Sequence, residues 1–264
     1  MPLSTEAVLA LVQEVAAEVV TPRFRSLSEE QIDEKRPGDL VTVADREAEE
    51  LITAALRAAY PDAVVLGEEA FSLDRELLPR FVAADHGFTV DPVDGTKNFV
   101  AGSPDHAVMV SEVRDGQPVR GWIWQPEHRR AWVAEHGAGV TRDGEQVRRA
   151  PAGDQPQGAT SIWSRRGRHP EGLPSLRGSW VCCGVDYPRL IEGAADYLLY
   201  GHTNPWDHLP GALMVREAGG AVAHADGTPY DARSGGRGLV VASDPATLDR
   251  AVEACRDLWP RPRG

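Results

Sequence analysis

Residues 88–99 read Phe-Thr-Val-Asp-Pro-Val-Asp-Gly-Thr-Lys-Asn-Phe, an apolar run that delivers two aspartates, three residues apart, into a Gly-Thr turn. Pro92 stiffens the segment between the acids, and Gly95 permits a tight bend that a residue with a Cβ resists. Thr96 adds a hydroxyl at the same bend. The chain must therefore fold so that a short buried strand, residues 88–90, ends on a compact set of oxygen donors.

Such a set has an electrostatic cost. Two carboxylates about 4 Å apart repel by roughly 4 kcal/mol at an effective dielectric of 20. Near neutral pH a divalent cation relieves this, and carboxylate, carbonyl and hydroxyl oxygens suit Mg²⁺ or Mn²⁺ rather than zinc. The isolated pairs Asp115-Gly116, Asp143-Gly144 and Asp226-Gly227 lack this context and read as solvated turns.

The rest of the chain alternates helical and β-like patterns. Ser4 or Thr5 can cap a first helix with Val8, Leu11, Val12, Val15 and Val19 at helical spacing and Pro22 at its end. After a polar loop and the segment Asp39-Leu40-Val41-Thr42, a second helix carries Leu51, Ile52, Ala55, Leu56 and Ala59, and Pro61 stops it. Residues 63–66 form a short strand that delivers Glu68 and Glu69. Runs at 107–113, 119–125, 130–134 and 139–142, with Asp-Gly turns between or after them, predict an antiparallel meander. The Pro-, Gly- and Gln-rich residues 150–157 predict a boundary between an N-terminal lobe, 1–150, and a C-terminal lobe, 151–264. In the second lobe we expect strands at 179–183, 197–200, 221–223 and 239–242. Helices are expected at 187–194 and 206–218, and a last one capped by Ser243 or Asp244 with Pro245 in its first turn. The predicted class is α+β.

The chain has 264 residues and a formal net charge of −12, which argues against a nucleic-acid polymer or an anionic membrane as partner. No signal peptide is visible and no apolar stretch is long enough to span a bilayer. Three cysteines, Cys182, Cys183 and Cys255, read as reduced thiols of a cytoplasmic protein. The histidines are scattered, no His-Glu-x-x-His occurs, and nothing in the pattern suggests zinc.

Taken in order, Asp39-Leu40-Val41-Thr42 with Asp45, Gly67-Glu68-Glu69, residues 91–99, and Trp206-Asp207 leading to Glu217-Ala218-Gly219-Gly220 resemble the inositol monophosphatase family over nearly the whole chain. The resemblance implies a layered αβαβα sandwich of two intimately packed lobes and a Mg²⁺-dependent, lithium-sensitive phosphate monoesterase. It implies two or three metal ions held by Glu68, Asp91, the Val93 carbonyl, Asp94 and Asp207, with Asp91 bridging two of them. The implied catalytic set is Glu68 with Asp45 and Thr96, the last two orienting the attacking water. Backbone N–H groups of Gly95 and Thr96 would bind phosphate. A small phosphorylated metabolite as partner, and a homodimer, follow from the same resemblance. A non-catalytic phosphometabolite-binding protein that keeps the metal pocket is the alternative.

The residue chemistry agrees. A phosphate monoester repels its nucleophile and has a poor leaving group, and metal ions address both problems. Thr96 is no strong base, but hydrogen-bonded to Asp45 it can fix a water's direction. Other readings stand beside these. Asp45 and Asp207 can each cap a helix. Glu69 can be a solvated neighbour, Lys97 a solvated lysine, and Trp206 packing. On the substrate side, Cys182, Cys183, Tyr200 and Asp207 are the expected contacts. Counting back from Trp206-Asp207, Tyr200 stands where inositol-specific members place a glutamate, and Cys182-Cys183-Gly184 replaces a Gly-Thr/Ser-Ala stretch. The following His208-Leu209-Pro210-Gly211 puts a proline where only a first helical turn tolerates one. Tyr200 either contacts substrate or packs in the core.

Overall fold

The computed structural model describes residues 2–259. Helix α1, Thr5–Val15, is capped by the Ser4 side chain and runs on through one π-turn, Ala16–Val20, and a 3₁₀ turn, Thr21–Arg23. The polar loop that follows is in part a hairpin, β1 Ile32–Arg36 and β2 Asp39–Thr42. The Pro37-Gly38 pair between them, with Gly38 at φ +78°, is the turn signal that marks it. Helix α2, Val43–Ala59, is capped by Thr42, and Asp45 is its third residue. Asp45 accepts the Thr42 N–H while the Thr42 side chain accepts in return, a reciprocal capping box rather than the simple cap expected of Asp45.

Strand β3, Val64–Gly67, leads into α3, Glu68–Leu73; α4, Leu77–Ala83, then returns the chain to β4, His86–Asp94. Helix α5 is Thr96–Val100. The meander follows as β5 Ala107–Arg114, β6 Gln117–Gln125, β7 Arg130–Glu135, β8 Gly139–Arg142 and β9 Glu145–Val147. Seven strands lie in the order β3-β4-β5-β6-β7-β8-β9, with only β3 and β4 parallel.

After residues 148–157, which hold no helix or strand, come β10 Gly158–Thr160, β11 Arg177–Gly178, α6 Cys183–Ile191, β12 Tyr197–Tyr200, α7 Pro205–Glu217, β13 Ala221–His224, β14 Leu239–Ala242 and α8 Pro245–Ala254. The second sheet has the order β11-β10-β12-β14-β13. The strand expected at 179–183 does not form. Its backbone donors scatter instead of forming a ladder: the Ser179 N–H donates to the Thr160 carbonyl, the Trp180 N–H to Asp186 and the Val181 N–H to the Ser179 hydroxyl. Val181 sits at φ +60° and the helix begins at Cys183, four residues earlier than its periodicity suggests.

Strict alternation builds the layers. Phe88, Val90, Val108, Val110 and Trp122 face one side of the seven-stranded sheet and pack on Val8, Val12, Ile52 and Leu56 of α1 and α2. Met109, Ile123 and Trp132 face the other side, where Leu190, Leu209 and Leu213 of α6 and α7 fill the middle layer against Leu198 and Val241. Outward from the second sheet, Tyr197, Leu199, Val240 and Ala242 pack on Ala251 of α8. The result is a layered αβαβα sandwich. Helix α7 approaches the first sheet closely: a Cβ on Gly121 would lie 3.2 Å from backbone atoms of Pro210. Pro210 is inside this helix, which nevertheless runs on to Glu217.

Candidate active site

The two aspartates of β4 are three residues apart, so a regular strand would point them to opposite faces. The ladder prevents this. Asp91 pairs with Met109 and Asp94 with Ala107, so β4 carries one residue more than β5 across Pro92-Val93. This bulge re-aims Asp94. Gly95 follows at φ +82°, and a Cβ there would come within 3.0 Å of the Asp105 carbonyl and of Cys182.

Glu68, Asp91 and Asp207 bring one carboxylate oxygen each within 4.8 Å of one another. Burial pushes the Asp91 carboxyl well above the usual range, and the charges of Glu68, Asp94 and Asp207 push it further. Glu68 is raised by burial too, against the opposing charge of Lys35. Asp94 is pushed up to about 6 by burial and by Asp207, although the Cys182 thiol and backbone N–H groups hold its charge. Burial acts upward on Asp207 as well, but the His202 hydrogen bond and charge outweigh it and keep that carboxyl low. Oδ1 of Asp91 is buried with no hydrogen-bond partner among the described residues. Crowded carboxylates with an orphaned oxygen fit a hard divalent cation.

Opposite this set, Thr96 Oγ1 lies 3.2 Å from Asp45 Oδ1 and 3.1 Å from the Val93 carbonyl. Asp45 Oδ2 is occupied by Thr42, through its N–H at 2.8 Å and its hydroxyl at 2.6 Å. Burial pushes Asp45 up to about 6. The first residues of α3, α5 and α6 and the third residue of α7, Asp207, line one cleft of about 520 Å³. Helix N-termini converging on a cavity favour an anion there.

Of the expected substrate contacts, Gly95, Thr96, Cys182, Cys183, Tyr200 and Asp207 all line this cleft. Cys182 and Cys183 are buried free thiols, and the Cys182 thiol donates to Asp94 Oδ2 at 2.8 Å. Tyr200 is 1% exposed and donates to Asp186 Oδ2 at 3.3 Å. Trp206 is buried against Phe71, and Lys97 is exposed on the rim.

Four neighbours escaped the sequence reading. Lys35 of the hairpin reaches Glu68 and Glu69, each at 2.7 Å. Glu49 of α2 accepts the N–H groups of Glu69 and Ala70 at 2.7 and 2.8 Å, capping α3 from another helix, and burial pushes it up to about 7. Gly67 is required for this, since a Cβ would lie 2.2 Å from the Glu49 carboxyl carbon. Asp186 lines the cleft beside Tyr200, and burial lifts it to about 7. His202 contacts Asp207 at 3.1 Å.

The profile described as the Inositol monophosphatase family matches residues 4–259. An inositol-1-monophosphatase of Mesorhizobium japonicum is 32% identical, covering 77% of this chain and 79% of its own. A histidinol-phosphatase of Streptomyces coelicolor is 32% identical, covering 84% and 87%. Among solved structures, a Thermotoga maritima IMPase superposes with TM-score 0.77 at 24% identity, covering 95% of each chain. An IMPase/NADP phosphatase complexed with Mg²⁺ and phosphate superposes with TM-score 0.73 at 19% identity, covering 92% and 90%.

Proposed function

The chain belongs to the inositol monophosphatase family, a family of Mg²⁺-dependent phosphomonoesterases, and from that premise we propose that it hydrolyses a small phosphate monoester other than inositol 1-phosphate. The observation that carries the reading is the buried Asp91 oxygen, without a hydrogen-bond partner among the described residues, within the Glu68–Asp91–Asp207 cluster, together with an intact Asp45–Thr96 pair. Glu68, Asp91, the Val93 carbonyl, Asp94 and Asp207 would hold Mg²⁺, with Mn²⁺ as a substitute. Mg²⁺ when bound supplies Lewis acidity toward the attacking and leaving oxygens. Thr96 commits its proton to Asp45 or Val93, so its free lone pair takes a hydrogen bond from the attacking water and fixes the water's direction. The N–H groups at the start of α5 hold the phosphate.

The alcohol side favours a substrate with an amine. Asp186, Asp207 and Asp39 line the cleft with the buried Tyr200, and a relative of similar length is named a histidinol-phosphatase. A carboxylate-lined wall suits a cation better than a ring of neutral hydroxyls. Free buried thiols agree with a cytoplasmic location. Lithium inhibition and a homodimer complete the proposal.

The test is phosphate release with Mg²⁺ from inositol 1-phosphate, a sugar phosphate, a nucleotide 3′-phosphate and histidinol phosphate. An amino-alcohol phosphate is expected to give the highest kcat/KM, and EDTA is expected to abolish release. Inositol 1-phosphate as best substrate would refute the specificity, and no release from any ester would leave a phosphometabolite-binding protein.

A further inference from the structure

The histidines that look scattered in the sequence do not stay scattered. His202, Asp207 and His208 each bring one ligand atom within 4.8 Å of the others. His202 Nδ1 lies 3.1 Å from Asp207 Oδ2 and 3.4 Å from His208 Nε2. A tetrahedral ion with ligand bonds of about 2.0–2.1 Å holds its ligand atoms about 3.3 Å apart. The two edges at His202 are close to that spacing, and the third, between Asp207 and His208, lies within 4.8 Å.

We propose that His202, His208 and Asp207 form a second, nitrogen-rich metal site that takes a borderline transition ion such as Zn²⁺, beside the all-oxygen set suited to Mg²⁺. Two imidazoles and one carboxylate select zinc-like ions over magnesium. Three protein ligands leave one position open, as in zinc sites that keep a water or an exogenous group.

The surroundings support ligation rather than chance proximity. His208 is fully buried and wedged among Tyr187, Tyr200 and Tyr230, so its ring cannot turn away. Its other nitrogen, Nδ1, lies 3.0 Å from the Tyr187 hydroxyl. With Nδ1–H donating to that hydroxyl, Nε2 presents its lone pair to the site, the outer hydrogen bond that metal-bound histidines ordinarily make. His202 is half-exposed and, like Asp207, lines the cleft, which gives an ion its way in. Because Asp207 belongs to both donor sets, an ion on the histidine side draws on the carboxylate the Mg²⁺ set uses, and Zn²⁺ would inhibit Mg²⁺-dependent turnover.

The test uses the full chain in saturating Mg²⁺ with no substrate, so it is decided separately from the phosphatase reading. Co²⁺ serves as the visible probe. Wild type is expected to bind one Co²⁺ with the intense visible bands of a four-coordinate ion, and Zn²⁺ is expected to displace it one for one. His202→Ala, checked for folding by its circular dichroism melt, should weaken Zn²⁺ binding at least about 10-fold, the lower end of the loss for disturbing a metal site's support. His202→Asn keeps a donor toward Asp207 but removes the imidazole, so it should lose the bands as well. Weak octahedral-type absorbance in wild type, or bands and affinity unchanged in both variants, would overturn the proposal.

Discussion

Asp94 shows how much one side chain here is asked to do. Its Oδ2 accepts the Cys182 thiol and the Gly184 N–H, while its charge adds to those of Asp91 and Asp207. Asp94→Asn keeps the shape and removes one charge. Steady-state assay with Mg²⁺ should show activity reduced at least about 10²-fold, the upper end for disturbing a metal site's support. In EDTA the same variant should melt no lower than wild type, because buried like-charge repulsion falls. Tyr200 needs a different account from the one its sequence position suggests. A carboxylate is absent at 200, but Asp186 stands against its hydroxyl at 3.3 Å. Tyr200→Glu would therefore set a second buried carboxylate on Asp186, and a melt at pH about 8 should show a loss of several degrees. Asp186→Asn is the cleaner probe of specificity: KM should rise for an amino-alcohol phosphate and change little for a neutral sugar phosphate.

At the scale of elements, the site is assembled by features that interrupt regular structure. The bulge at Pro92-Val93 puts two aspartates on one side of a strand, and at the start of α6 the Trp180 and Gly184 N–H groups donate to Asp186 and Asp94. The junction of β3 and α3 is the tightest of these. Gly67 has no room for a Cβ because the Glu49 carboxylate fills that space to cap α3. Gly67→Ala should cost about 1–3 kcal/mol in urea unfolding, the range for overpacking a fitted site. Glu49→Ala alone should cost roughly 0.5–2 kcal/mol through the lost cap. The double variant should be less destabilised than the sum, since removing the Glu49 carboxylate opens the space that the added methyl needs.

Across the whole molecule, burial of acids ties stability to pH and to metal. Asp45 is pushed up to about 6, and Glu49 and Asp186 to about 7. A carboxyl whose folded pKa lies above its unfolded one binds its proton better when folded. Its stabilising contribution is full below the unfolded pKa and is lost as pH rises through the folded pKa. The chelated protein should therefore melt lower at pH about 8 than at pH about 5. Mg²⁺ should raise the melting temperature more at the higher pH, where the carboxylates are charged and ready to bind. The middle helical layer packs against both sheets, with Met109 and Ile123 of the first and Leu198 and Val241 of the second in one continuous core. Chains cut within residues 150–157 should yield two halves that do not fold apart but regain native circular dichroism when mixed.

The amino-acid sequence alone determined the oxygen-donor set and the alternation of strands and helices around it. Both are local: Asp91, Val93, Asp94, Gly95 and Thr96 lie within six residues, and a buried strand announces itself by its own apolar run. Glu68 and Asp207 entered the expected set through the family resemblance, and the fold brings a carboxylate oxygen of each within 4.8 Å of Asp91. The tertiary structure decided what those donors meet. Lys35 reaches Glu68 across 33 residues, Glu49 reaches the α3 backbone across 20, and Tyr200 reaches Asp186 across 14. None of these carries a local signature, because a polar side chain on a hairpin or a helix reads the same whether it meets water or a carboxylate. The strand expected at 179–183 failed although its β propensity is real: its N–H groups scatter to the Thr160 carbonyl, Asp186 and the Ser179 hydroxyl, and Val181 turns to φ +60°. His202 and His208 became neighbours because the loop before α7 turns back on the helix's first turn beside Asp207, a geometry that residue spacing alone does not encode.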